Sequence, residues 1–295
     1  MEELRGHYGT WKFDDEAVRM RFDAGRKAPA LLRALSGCTL PLAAVREVSF
    51  DPGDRKRGWR LRLHLAEGAD PYASVGAYQD DYFTPLLLTG PHDKELVAEY
   101  FAQKLESSTA YAREAEGEPA PGAVALALVA RPPLLVRTAE GSASFDGTRV
   151  RLQWDGWLAS TAKGKEKSRE YRLADIEAAR WYPPVDLSEG YLRIVLRGVS
   201  IPEASSREND FFTLASHGRK GSEETLLMAA TLNAHVAGEA AGEPGAEPAA
   251  LESGPGQGGS EEIFAKIREL GLLHAEGLLT DDEFSAKKAE LLARL

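Results

Sequence analysis

Lys163, Lys165, Lys167 and Arg169 stand at alternate positions of a polar stretch, Ala159 to Arg169, and are the side chains best placed in this sequence to meet an anion. The stretch is expected to be an exposed loop. Near an anionic membrane each basic residue contributes about 1 kcal/mol, so four give roughly 4 kcal/mol, only millimolar affinity for one copy. Assembly of several chains would raise that by about a hundredfold without any new contact. Arg55, Lys56 and Arg57 form a second basic turn. The plainer reading of both is a solvated turn that keeps the surface soluble.

Other chemistry leaves few signs. The histidines His7, His64, His92, His217, His235 and His274 show no paired metal-ligand spacing, and no phosphate loop, dinucleotide fingerprint or nucleophile elbow occurs. Ser160-Thr-Ala-Lys163 matches the Ser-x-x-Lys pattern of acyl-transfer enzymes but lacks its companion motifs. Cys38 is the one cysteine, which excludes an internal disulfide and a multi-cysteine zinc site and fits a reducing compartment. It reads as a small buried hydrophobe. Trp11, Trp59, Trp154 and Trp181 fit strand cores, and Trp157, beside Gly156, reads as local packing or else a partner contact. A non-enzymatic protein with no metal and no cofactor is expected.

These residues must be carried by elements that the sequence also marks. A length of 295 residues suggests two domains, hence two cores, and 43% hydrophobic with 28% charged residues is ordinary globular usage. The net charge of −10 is concentrated late, where Glu239, Glu243, Glu247, Glu252, Glu261 and Glu262 occur without Lys or Arg. Nucleic acid is not an expected partner. The first residues lack the order of a secretory signal, and the longest apolar run, Val124 to Ala130, is far short of the roughly 20 residues a membrane span needs. A cytoplasmic place is expected, at most peripheral to the inner face of a membrane.

The chain repeats itself. Gly9 to Phe13 followed by Val18, Met20 and Phe22 returns as Gly141 to Phe145 followed by Val150, Leu152 and Trp154, each pair a hairpin with one apolar face. Leu40 to Phe50 matches Tyr171 to Trp181, strands follow at Trp59 to Leu65 and Tyr191 to Leu196, and Asp81-Tyr-Phe-Thr84 is paired with Asp210-Phe-Phe-Thr213. Each copy closes with a helix, over 93–106 and 222–236. Leu96, Val97, Tyr100, Phe101 and Leu105 are expected to lay one stripe on the preceding sheet, as are Leu226, Leu227, Thr231, Leu232 and Val236. The copies differ after the first hairpin: Pro29 to Gly37 suits a short helix in module one, where module two has its basic stretch.

The domains are thus module one over 5–107, a linker over 108–138, module two over 139–237, a tether over 238–260 whose Ala, Gly, Glu, Pro and Ser cannot bury enough apolar area to fold, and a helical hairpin over 261–295. In the hairpin Ile263, Phe264, Ile267, Leu270 and Leu273 recur at helical spacing. Thr280 and Glu283 form a capping box before Phe284, Leu291, Leu292 and Leu295. About 35 ordered residues cost roughly 50 kcal/mol of conformational entropy, which this few apolar side chains do not clearly offset, so the hairpin is expected to need a partner surface. Self-association and docking on its own modules both remain open.

The segment from Ile267 through Gly277-Leu-Leu-Thr280, Phe284, Lys287-Lys288 and Leu291-Leu292 resembles the short C-terminal domain called SHOCT. The paired modules resemble a family of tandem bacterial domains of unknown function. That resemblance implies a pleckstrin-homology-like (PH-like) fold: a mainly β, α+β architecture of two bent sheets or partly open barrels, each closed by a C-terminal helix, with the α-helical hairpin appended. It implies no reaction. The function expected is a binding or scaffold protein of unknown ligand, assembled through a protein partner or itself by the hairpin, with binding of an anionic membrane surface through module two as the alternative and a hydrolase less favoured.

Overall fold

The computed structural model describes residues 2–75, 84–184, 189–199 and 209–242. These fall in one compact unit that ends at Glu243. The tether beyond it and the hairpin, with Ile263, Phe264, Ile267, Leu270, Leu273, Phe284, Leu291 and Leu295, lie outside the described residues.

Module one opens with β1 (Glu2–Arg5), β2 (Gly9–Phe13), β3 (Ala17–Phe22), the short helix α1 (Ala30–Leu35) and β4 (Gly37–Pro41), the strands paired antiparallel in that order. A second sheet follows from β5 (Val45–Asp51), β6 (Trp59–Leu65) and β7 (Leu87–Gly90), and then the long helix α2 (Glu95–Glu116). After α3 (Pro121–Ala127), module two repeats the plan: β8 (Leu134–Arg137), β9 (Ser142–Phe145), β10 (Arg149–Gln153), α4 (Thr161–Glu166) and β11 (Ser168–Arg172), then β12 (Ile176–Tyr182), β13 (Gly190–Leu196), β14 (Thr213–Ser216) and α5 (Gly218–Gly242). Strands precede the long helix in both copies, so the fold is α+β, and neither half closes its sheets into a barrel.

The repetition reaches single residues. Asp14 and Asp146 each accept two backbone N–H groups just beyond them and so pin the same turn. The strand after the second hairpin bulges in each copy, between Val45 and Glu47 and between Ile176 and Ala178. Both α1 and α4 end on a non-glycine residue at positive φ, Ser36 at 56° and Lys167 at 68°. Four of the five tryptophans, Trp11, Trp59, Trp154 and Trp181, are fully buried, two in each copy.

Several expectations need correction. The stretch 108–138 is not a plain linker: it holds the end of α2, all of α3, and β8, which pairs with β9 as the edge strand of module two. Instead of two cores, the buried apolar residues form one cluster running through both modules. The reason lies in α5. It packs on β12 and β13 of its own module and also against α1, α3 and the 3-10 turn Ala73–Val75 of module one. The Glu223 carboxylate accepts the Ala30 N–H at the start of α1 (2.5 Å), and the Asn233 amide grips both backbone groups of Ala179 while reaching Ser74. A helix flanked on two sides must be apolar all round, and Leu226 to Leu232 are all buried.

The stripe on α2 also resolves differently. Phe101 and Leu105 face the sheets with Ala98, Ala102, Thr109 and Ala112. Leu96, Val97 and Tyr100 turn away and stand in solvent. The sequence pattern merges two stripes into one because half the buried stripe consists of small residues.

Candidate binding surfaces of the two modules

The basic stretch of module two is not a loop. Ser160 caps α4 by accepting the Lys163 N–H (3.2 Å), and the helix turns Lys163 inward. Its side chain is 1% exposed. Lys163 Nζ donates to Glu140 Oε1 (2.8 Å), to the Thr213 carbonyl (3.1 Å) and to Thr213 Oγ1 (3.1 Å), which uses all three of its protons. The other Glu140 oxygen accepts the Ala215 N–H (2.5 Å), and the ammonium lies 5.7 Å from the Trp154 ring centre. Lys163 is therefore a fastening between α4, the β8–β9 turn and β14, and cannot meet an external anion. Arg169 pairs with Glu166 (2.7 Å) and lies over Phe211 (4.3 Å). Lys165 and Lys167 are the two of the four that stand exposed.

Arg55, Lys56 and Arg57 are all exposed, and their turn is well fixed: Asp54 Oδ1 accepts the N–H groups of Lys56 (2.7 Å) and Arg57 (2.8 Å). Those bonds hold the Asp54 carboxyl below its ordinary range. Trp157 is not packed locally as expected; it is 78% exposed, its ring centre 6.4 Å from that of His217 in an edge-on contact.

Sequence reasoning missed a cleft of about 590 Å³ on the outer face of β5 and β6 in module one, lined by Ser49, Asp51, Arg60, Arg62, His64 and Asp70 among others. Strand alternation builds it. Trp59, Leu61 and Leu63 point into the core, so Arg60, Arg62 and His64 must share the opposite face. Ser49 Oγ lies 2.7 Å from His64 Nε2. Asp70 accepts the Tyr72 (2.9 Å) and Ala73 (3.3 Å) amides, and burial pushes its carboxyl above the ordinary range. A serine beside an imidazole has the makings of a nucleophile and base. Two arginines and a histidine on one strand face are also a recognition surface for an anionic group.

The described residues of module two differ on this face. Strand register sets Tyr182 and Tyr191 where Asp51 and Arg60 stand, and the two rings stack 4.4 Å apart. Arg193, at the position of Arg62, is held 3.0 Å from Asp210. The backbone bonds Leu87 N–H to Thr84 and Thr213 N–H to Asp210 show that Asp210 corresponds to Thr84, which corrects the motif pairing read from sequence; 81–83 lie outside the described residues.

Among the described residues no group of three or more His, Cys, Asp or Glu could hold a metal ion, and no helix is long and apolar enough to cross a membrane. No curated protein matches the chain. The family described as Domain of unknown function (DUF4429) matches twice, over residues 11–106 and 143–233, and the Short C-terminal domain, SHOCT, matches over 265–292. Neither is a known enzyme family. With two matched copies spanning well over half of its length, in the places where the fold repeats, the chain belongs to the DUF4429 family and carries a C-terminal SHOCT domain.

Proposed function

We propose that this protein is a non-enzymatic binding scaffold in which the two PH-like copies have divided their labour. Module one recognises a ligand bearing an anionic group, module two serves as its structural support, and the C-terminal hairpin assembles or docks the whole. One observation carries the reading: the outer sheet face forms a cleft with Arg60, Arg62 and His64 in one copy, while stacked tyrosines and an arginine-aspartate pair fill the same face in the other. The anionic-membrane reading through module two is weakened, because Lys165 and Lys167 alone would supply only about 2 kcal/mol.

Titration with inorganic phosphate, then with small phosphorylated and carboxylated compounds, followed by thermal unfolding, tests the proposal. A ligand at a hundred times its Kd stabilises by about 2.7 kcal/mol, a readily measured rise in Tm. Arg60→Ala and His64→Ala should abolish the rise, whereas Arg193→Ala should not. A rise untouched by either cleft substitution, or none with any anion, would count against it.

A further inference from the structure

Among the described residues α2 carries an apolar face with nothing on it. Leu96 is 77% exposed, Val97 59%, Tyr100 54% and Tyr111 74%, and all four project from the side opposite the sheets. The chain itself shows how this fold uses that side. On α5, the counterpart of α2, it is covered by α1, whose Ala30 N–H meets Glu223. The same packing cannot be continued onto α2 by module two of another chain. Where α1 is made of buried Ala30, Leu31, Leu32 and Leu35, α4 offers Thr161, Gly164, Lys165 and Glu166 to solvent.

The exposed side of α2 is self-complementary instead. Val97, Tyr100, Lys104, Ser107, Tyr111 and Glu114 follow one another at alternating spacings of three and four, the rhythm of a two-helix seam. A parallel pair would set Lys104 against its own copy. An antiparallel pair puts Tyr100 of each chain on Tyr111 of the other, Lys104 opposite Ser107 and Val97 opposite Glu114, with no like charges directly opposite and the helix dipoles opposed. We propose that the occupant of this face is a second copy of the chain, paired through α2 in antiparallel, two-fold fashion.

One helix per side is a small contact beside the roughly 800 Å² per partner of a standard interface, so the dimer belongs in the weak, transient class, to be sought at about 10 to 100 μM chain. Sedimentation velocity of the full chain over that concentration range should show reversible dimer formation. Tyr100→Glu should raise the dissociation constant tenfold or more without lowering Tm, since the side chain is exposed. An equimolar mixture of Val97→Cys and Glu114→Cys chains should form a disulfide-linked dimer on mild oxidation, while each variant alone, and the wild type with its Cys38, should not. A chain that stays monomeric, association indifferent to Tyr100→Glu, or cross-linking by Val97→Cys alone would overturn the inference. The second of these outcomes would assign assembly to the C-terminal hairpin and leave the proposed cleft untouched.

Discussion

Behind its third strand, module one gathers Tyr8, Leu32, Phe22 and Leu87, while module two fills the same place with Glu140, Lys163, Trp154 and Thr213. The equivalence rests on backbone bonds. Ser36 and Lys167 donate to Leu32 and Lys163, and Leu63 and Ile194 to the residues just before Leu87 and Thr213. One framework thus tolerates an apolar plug and a buried ion pair at a single position. Removing two charges from water costs several kcal/mol each, and the pair persists because every proton and both carboxylate oxygens have partners.

The largest expected effect breaks that comparison directly. Lys163→Ala or Glu140→Ala leaves one charge buried and alone, and urea unfolding should show a loss of about 3 to 5 kcal/mol. Installing the residues of module one together, Glu140→Tyr, Lys163→Leu and Thr213→Leu, should recover most of it. The recovery should fall short, because the Ala215 N–H loses its acceptor, at about 1 to 3 kcal/mol. Single losses under about 1 kcal/mol would mean that water reaches the pair.

Next in size is the join between the copies. Glu223→Ala removes a charge-assisted hydrogen bond to the first turn of α1 and should cost about 1 to 3 kcal/mol. Trp11 and Trp59 report on module one, Trp154 and Trp181 on module two, and all four should move in a single fluorescence transition in wild type and variant alike. Two separated transitions would contradict the shared core.

The smallest effect sharpens the contrast between the sheet faces. Asp70 has its folded pKa above the unfolded value, so the folded state holds its proton more tightly and stability falls as pH rises from the ordinary carboxylate range through the folded value. Asp70→Asn should flatten that part of the stability curve and slightly raise Tm at neutral pH. A steeper curve would mean that the carboxylate form is the stabilised one. Cys38, whose thiol is pushed up to about 12 by burial, should react with a disulfide reagent at neutral pH far more slowly than free cysteine.

Much of this was legible in the sequence. Period-two alternation exposed the strands, and the returning Gly, Phe and Val positions exposed the duplication, because both follow from local geometry. What stayed hidden depends on neighbours distant along the chain. Lys163 looked like one of four equivalent cations, and only the arrival of Glu140 and Thr213 from elsewhere makes it an interior residue. Arg60, Arg62 and His64 lay in plain view at alternate positions, and a search for cationic groups at strand spacing would have found them. The outward turn of Leu96 and Val97 was masked by Ala98 and Ala102, whose small side chains carry the true contact with the sheets.

Since α5 lines the interior of both halves, the duplication is no longer divisible at the level of the gene. A fragment stopping at Gly117 would leave the start of α1 and the Ala73–Val75 turn bare, and one starting at Leu134 would present the apolar back of α5 to water. Either half should aggregate when expressed by itself, and the two repeats can be inherited, exchanged or engineered only as a couple.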